Sequence, residues 1–266
     1  MRVALFVTSV VDTFHPSAAV SAVRVLRRLG HEVVVPDGQT CCGQPAWNAG
    51  FRADAARVAR VSLDALRTSD ADVIVVPAGS CAAMMTVYWE TMFRGTGDDE
   101  RADASAALRA RLYEFSSFVA QHHLGLPDDT ASSPGATASD APSIDIAYHH
   151  SCHMLRELHV EDAPIDALRA AGVTAAAWPA DRECCGFGGL FAVKLPETSV
   201  AMADRKLDTV PEGCGTVVGC DASCLLHLSA RSEARGSTRD FRHLAELLDE
   251  RQVTGIWPDE NDGAPR

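Results

Sequence analysis

Short apolar, β-branched runs alternate along this chain with longer stretches of helical periodicity. Residues 2–8 form the first run, 32–36 a second, and 73–77 a third that is apolar throughout. Between them, residues 18–29 carry helical spacing, with Pro16 just upstream and Gly30 as a stop. Residues 48–68 read as one long amphipathic helix and residues 104–123 as another. The second half repeats the plan. Residues 144–148, 173–178 and 216–219 are strand candidates, 163–171 and 199–208 are helical, and 240–251 reads as a closing amphipathic helix. Strands joined by helical crossovers lie parallel. The expected fold is therefore α/β: two tandem, duplicated domains, each a mainly parallel sheet with flanking helices.

The polar stretches set the boundaries. Residues 127–143, rich in Ser, Thr, Ala, Asp and Pro, have the composition of a linker. They divide a first domain, 1–126, from a second, 144–257, and residues 258–266 read as a tail.

A repeat in the cysteines sharpens this division. Subtracting 143 from Cys184, Cys185 and Gly186 gives Cys41, Cys42 and Gly43; the same shift takes Cys224 to Cys81 and Cys152 to Ser9. Each half thus reads Cys/Ser-x31-Cys-Cys-Gly-x37-Cys with no net insertion, which signals internal duplication. Ser9 follows the first strand, Cys41 and Cys42 the second, and Cys81 the third. The carboxyl ends of parallel strands share one sheet edge, where open α/β sheets bind ligands, so thiols far apart in sequence should converge there.

Composition narrows the chemistry. The 266 residues are 47% hydrophobic and 23% charged, a profile that suits two globular domains. A net charge of −12 argues against nucleic-acid or anionic-membrane partners. No apolar stretch approaches the roughly 18 residues of a membrane span. The apolar start lacks a convincing cleavage site and reads as a buried strand rather than a leader. Nine cysteines is an odd number, and adjacent pairs do not bridge without strain. A reduced, cytoplasmic setting follows, in which the thiols are available as ligands.

In the second half Cys152, Cys184, Cys185, Cys220 and Cys224 offer five thiolates. Soft thiolates select zinc, copper(I) or iron–sulfur clusters. Neighbouring cysteines suit a group of several irons better than one small tetrahedral ion, and the chain has no Cys-x2-Cys knuckle of the kind zinc favours. The glycines Gly186, Gly188 and Gly189 allow close backbone approach and N–H donation to sulfur. Cys214, outside the repeat, reads as core. The first half keeps Cys41, Cys42 and Cys81, but Ser9 replaces the leading thiol and Pro77 stands where Cys220 lies. A second cluster, a decayed site, a docking site and a redox-active pocket all remain open for it. His149, His150 and His153 flank Cys152; histidine replaces cysteine on iron in some clusters, but the three are read as strand-end residues that hydrogen-bond to backbone or solvent, with one of them supporting the ligands as the intermediate case. His15 is read as held in a turn by Pro16. The only glycine-rich run, 186–189, fits neither a dinucleotide fingerprint nor a P-loop.

The pattern Cys-x31-Cys-Cys-Gly-x33-Cys-x3-Cys resembles the CCG, or cysteine-rich, domain. That domain occurs twice in one of the chains of heterodisulfide reductase. It is also found in the iron–sulfur subunits of glycolate oxidase and anaerobic glycerol-3-phosphate dehydrogenase, where the last pair is usually Cys-x2-Cys. The strings Cys41-Cys42-Gly43-Gln44-Pro45-Ala46, Ser151-Cys152-His153-Met154 and Cys184-Cys185-Gly186-Phe187-Gly188-Gly189 are similar to the lactate-utilisation A proteins, which consist of two such domains and little else. Ser9 departs from that pattern. The resemblance implies an iron–sulfur cluster of the 4Fe-4S type, with iron held by Cys152, Cys184, Cys185 and Cys224, and room for a second cluster in the first domain. It further implies an electron-transfer subunit of a system oxidising L-lactate to pyruvate, partnered by a ferredoxin-like iron–sulfur protein and a third subunit. A thiol–disulfide reductase of the heterodisulfide type and a metal-stabilised scaffold without redox chemistry are the alternatives.

Overall fold

Each half is built on two buried, largely apolar central strands, with a short strand on one side and a closing edge strand on the other. In the computed structural model, which describes residues 1–123 and 146–251, β1 (Arg2–Leu5), β2 (Glu32–Val34), β3 (Val73–Val76) and β4 (Leu112–Glu114) make one sheet in the order β2-β1-β3-β4. β5 (Ile146–His149), β6 (Ala175–Ala176), β7 (Thr216–Gly219) and β8 (Asp240–His243) make the other, in the order β6-β5-β7-β8. Every pairing is parallel. Val3 lies opposite Val73, and 143 residues later Ile146 lies opposite Thr216. The duplication read from the cysteines is thus a duplication of the sheet. The linker 127–143 and the tail 258–266 lie outside the described residues.

The two edge strands depart from the expected elements. Periodicity makes residues 104–123 one helix, but Leu112–Glu114 pairs with β3 between two helices, Asp99–Arg109 and Phe115–His123. Likewise 240–251 divides into β8 and the helix Leu244–Arg251. Strands of three and four residues carrying Glu114, Asp240, Arg242 and His243 lack an apolar run, so the neighbouring helix dominates the pattern. The expected helix 48–68 forms as Arg52–Arg67, and a separate short helix, Gln44–Asn48, precedes it across the turn where Gly50 takes φ +87°. The strand expected over 173–178 shrinks to Ala175–Ala176.

The halves share a core. Val3, Leu5, Phe115 and Phe118 from the first pack in one continuous cluster with Ile146, Tyr148, Leu168 and Leu247 from the second. Helix Pro16–Arg28 lies against Leu244–Arg251, and Phe115–His123 against Ala163–Ala170. Polar links cross the same boundary. His15 Nε2 lies 2.8 Å from Glu246 Oε2, and Asp249 takes Ser21 Oγ at 3.1 Å and Arg28 at 2.6 Å. So His15 is a crossing contact and not merely a turn residue.

At the carboxyl edges the backbones themselves meet. Gly79 N donates to Cys220 O at 3.2 Å, Ser80 N to Asp221 Oδ2 at 2.8 Å, and His243 Nε2 to Pro77 O at 3.1 Å. Gly79 permits this approach, because a Cβ there would lie 2.3 Å from Met154 Cγ of the other half.

Candidate metal centre at the joined sheet edges

The loops after β1, β2 and β3 and those after β5, β6 and β7 open into one cavity of about 800 Å³, continuous with solvent. Cys41, Cys42 and Cys81 line it from the first half. Cys152, Cys184, Cys185 and Cys224 line it from the second. The two thiol groups expected at two separate sheet edges therefore face a single space. None of the nine cysteines forms a disulfide.

Local structure sets each sulfur. Gly43 and Gly186 adopt φ +87° and +93°, which turns the chain sharply after each Cys-Cys pair. A Cβ at these positions would come within 2.7 Å of Ala55 O and 2.5 Å of Ser199 O, so only glycine lets the thiol loop sit against its supporting helix. Backbone N–H groups reach the sulfurs: Gly43 N to Cys41 Sγ at 3.5 Å, Gly186 N to Cys184 Sγ at 3.4 Å and Phe187 N to Cys185 Sγ at 3.5 Å. Cys81 and Cys224 each occupy the third residue of a helix that starts at the sheet edge. Asp221 caps both helices at once. Its Oδ2 accepts from Ser80 N and its Oδ1 from Ser223 N at 3.2 Å.

The sulfurs form two parallel chains of contacts. In the second half Cys152 touches Cys184, Cys184 touches Cys185, and Cys185 touches Cys224. Hydrogen bonds from Cys152 and Cys185 pull Cys184 far below the ordinary thiol range, and the same contacts push Cys152 and Cys185 up. For Cys224 the contact with Cys185 acts downward, but burial and Asp221 outweigh it and raise the thiol. Four sulfurs in contact, one of them pulled toward thiolate, could hold a metal group. In the first half the chain runs Ser9, Cys41, Cys42, Cys81, with Cys42 Sγ 3.1 Å from Cys81 Sγ. Here Cys41 is raised by its contact with Cys42 and by burial. Cys42 is raised by Cys81 and burial, against the downward pull of Cys41.

Cys220 is placed elsewhere. It is fully buried in the shared core, and its Sγ accepts from Tyr148 Oη at 3.2 Å instead of lining the cavity. Cys214 is buried in the core of the second sheet, as its isolation in the repeat suggests.

This chain matches the cysteine-rich CCG domain family over residues 3–86 and again over 146–229. It is 38% identical over 251 residues to Lactate utilization protein A of Exiguobacterium sp., which covers 94% of this chain and 97% of that protein. The protein of the same name from Geobacillus thermodenitrificans is 37% identical over 253 residues, 94% of this chain and all of the relative. That from Bacillus cereus is 38% identical over the same length. The chain belongs to the lactate utilization protein A family.

Two histidines flanking Cys152 in the sequence take up places at the site of this family member, and Gln44, whose role the sequence did not show, joins them. His149, read as a strand-end residue satisfied by backbone or solvent, is fully buried, and neither ring nitrogen has a hydrogen-bond partner within 3.5 Å among the described residues. Its ring lies with the Cys185 and Cys224 sulfurs in a group whose ligand atoms are all within 4.8 Å. Burial keeps this imidazole neutral, the form that binds metal. Gln44 and His153 reach across the cavity, Nε2 to Nε2 at 3.1 Å, and His153 Nδ1 lies 3.8 Å from Cys152 Sγ. With the Gln44 amide donating, His153 carries its proton on Nδ1, directed at the sulfur. The donor set of four linked sulfurs, with a buried neutral imidazole beside them, fits a metal–sulfur group.

Proposed function

We propose that this protein is an iron–sulfur electron-transfer subunit of a system that uses lactate, oxidising L-lactate to pyruvate. The observation that carries the reading is the linked array Cys152, Cys184, Cys185 and Cys224 at the mouth of the joint cavity. These four would hold the iron of a 4Fe-4S cluster. His149 stands beside it, and Gly186 and Phe187 would turn their N–H groups to its thiolates. When bound, such a cluster accepts and releases single electrons. The rest of the site positions and insulates. The glycine turns set the thiols, Asp221 fixes the two helices, and the shared core excludes water from beneath. Cys41, Cys42 and Cys81 would hold a second, weaker cluster, with Ser9 in the place of a fourth thiolate.

The relatives' name supports lactate as the metabolite served. The chain holds no dinucleotide fingerprint, so hydride chemistry would fall to other subunits: a ferredoxin-like iron–sulfur protein and a third chain. No helix among the described residues is long and apolar enough to cross a membrane, and the reduced thiols suit the cytoplasm.

One observation favours a second reading. The buried contact of Cys42 with Cys81 is what a thiol–disulfide reductase needs. Anaerobic purification from the native host separates these possibilities. The proposed function predicts a brown protein containing iron and sulfide, co-purifying with a second iron–sulfur chain, whose visible absorbance bleaches when lactate is added to the assembled complex. A colourless, zinc-containing protein would support the scaffold alternative. Bleaching that depends on a disulfide substrate and ignores lactate would support the reductase.

A further inference from the structure

Lys206 lies in the helix Pro196–Leu207, yet its side chain is completely enclosed. The ammonium donates to three backbone carbonyls: Ala180 O, Asp181 O at 3.1 Å and Glu183 O at 2.8 Å. It also lies 4.6 Å from the centroid of the Trp178 ring. All three donors of the lysine are thus used on one turn, residues 180–183, which leads directly into Cys184 and Cys185.

The charge itself has no carboxylate partner among the described residues. Glu183, whose carbonyl Lys206 holds, turns its own carboxylate to Arg205 at 2.8 Å. A buried cation needs a compensating negative charge close by. Burial lowers this lysine's pKa to about 8, and the sulfurs of Cys185 and Cys224 lead the influences that raise it again. Lys206 thus stands in the negative field of the thiol site, to which the carboxylates of Asp181 and Glu183 also contribute.

The first half lacks this device. The 143-residue shift takes Lys206 to Leu63, a fully buried apolar residue. There the turn before the cysteines is held by a neutral hydroxyl instead. Ser62 Oγ accepts from Thr40 N at 3.0 Å and donates to Cys41 O at 3.2 Å. A cation accompanies the half with four cavity-facing sulfurs, and a hydroxyl the half with three.

We infer that Lys206 is the clamp and counter-cation of the second-half site: it fixes the turn that presents Cys184 and Cys185, and its charge offsets that of the thiolate-bound metal group. The inference rests on the proposed cluster and adds a positioning residue to it. Two variants separate clamp from charge. Lys206→Gln keeps hydrogen-bond donors for the carbonyls but removes the charge, and Lys206→Met removes both at similar length. Each is reconstituted anaerobically beside wild type. Iron and sulfide per chain, the rate of iron release to a chelator and the midpoint potential are then read, with circular dichroism as the control for folding.

Lys206→Gln should keep most of its iron and shift to a more negative potential, because a nearby cation favours the reduced, more anionic state. Lys206→Met should release iron about tenfold faster or more. A Lys206→Gln protein with the wild-type potential would overturn the charge role, and a folded Lys206→Met protein with wild-type iron release would overturn the clamp. Wild type without iron would instead overturn the cluster reading itself, so the two failures are told apart.

Discussion

The second half links Cys152, Cys184, Cys185 and Cys224, and the first half links Ser9, Cys41, Cys42 and Cys81, residue for residue 143 positions apart. The backbone is the same in both. Each chain of contacts starts after the first strand, turns at a left-handed glycine, and ends on the third residue of a helix. What differs is the charge each half can hold. The second has a fourth sulfur, a thiol pulled toward thiolate, a buried neutral imidazole beside the sulfurs, and a buried ammonium. The first has a hydroxyl where that sulfur would be, with Phe6 and Leu63 in the places of His149 and Lys206. A scaffold can be duplicated whole while the electrostatics of its two thiol sites diverge.

The fourth strands give the comparison its largest test in stability. β4 ends on Glu114 and β8 on His243, both buried at the junction of the halves. Burial pushes Glu114 up to about 7, despite hydrogen bonds from Ser116 and Ser117, and pulls His243 down to about 4. The signs oppose. The folded state holds the Glu114 proton that the unfolded chain loses above its ordinary carboxyl value, so this group's contribution falls as pH rises from about 4.5 to 7. The unfolded chain takes up the His243 proton below about 6.5, so that contribution falls as pH drops from about 6.5 to 4. Each amounts to about 3 kcal/mol across its window. In wild type they largely cancel. Relative to wild type, Glu114→Gln should lose stability on acidification and His243→Gln should gain it, as read by denaturant unfolding from pH 7 to 4.5. Parallel pH profiles for all three proteins would show that neither group is charged or neutral as its burial dictates.

A smaller effect is expected at the cap that both halves share. Asp221→Ala removes acceptors from Ser80 N and Ser223 N together, where the first half offers only Ala78. The loss should be about 2 kcal/mol, a fall of about 6 °C in thermal midpoint for a chain of this size. A fall no larger than for an exposed aspartate would mean that the shared cap carries no strain across the halves.

Much of this arrangement was legible in the sequence, and the limits are specific. Apolar runs such as Val73–Val76 announced their strands, and the 143-residue shift pointed to the sheet edges where seven thiols lie. β4 and β8 were not legible, because a short strand containing Glu114 or Arg242 has no period of its own. The merging of two edges into one cavity depends on which faces of helices Pro16–Arg28 and Leu244–Arg251 meet, and one sequence does not encode that pairing visibly. Lys206 was hidden because a lysine on an amphipathic helix reads as solvated. Cys220 has no counterpart in the repeat, where Pro77 stands, and its strand-end position turns it toward Tyr148 and the core.

The smallest effect should come from restoring the missing sulfur. Ser9→Cys gives the first half the same four-sulfur chain, and a thiolate holds iron better than a hydroxyl. Bound iron should rise modestly, or its loss in air should slow. Identical iron content, spectra and air stability in the two proteins would mean that Ser9 is not what limits the first pocket.

The most direct test of the central claim compares two double variants, Cys184→Ser/Cys185→Ser and Cys41→Ser/Cys42→Ser, with wild type after anaerobic reconstitution. Iron and acid-labile sulfide are measured per folded chain. Loss of most of the iron and sulfide from the second-half variant, and of a lesser share from the first-half variant, is the expected result. Undiminished iron in the Cys184→Ser/Cys185→Ser protein, or a greater loss from the first-half variant, would contradict the account.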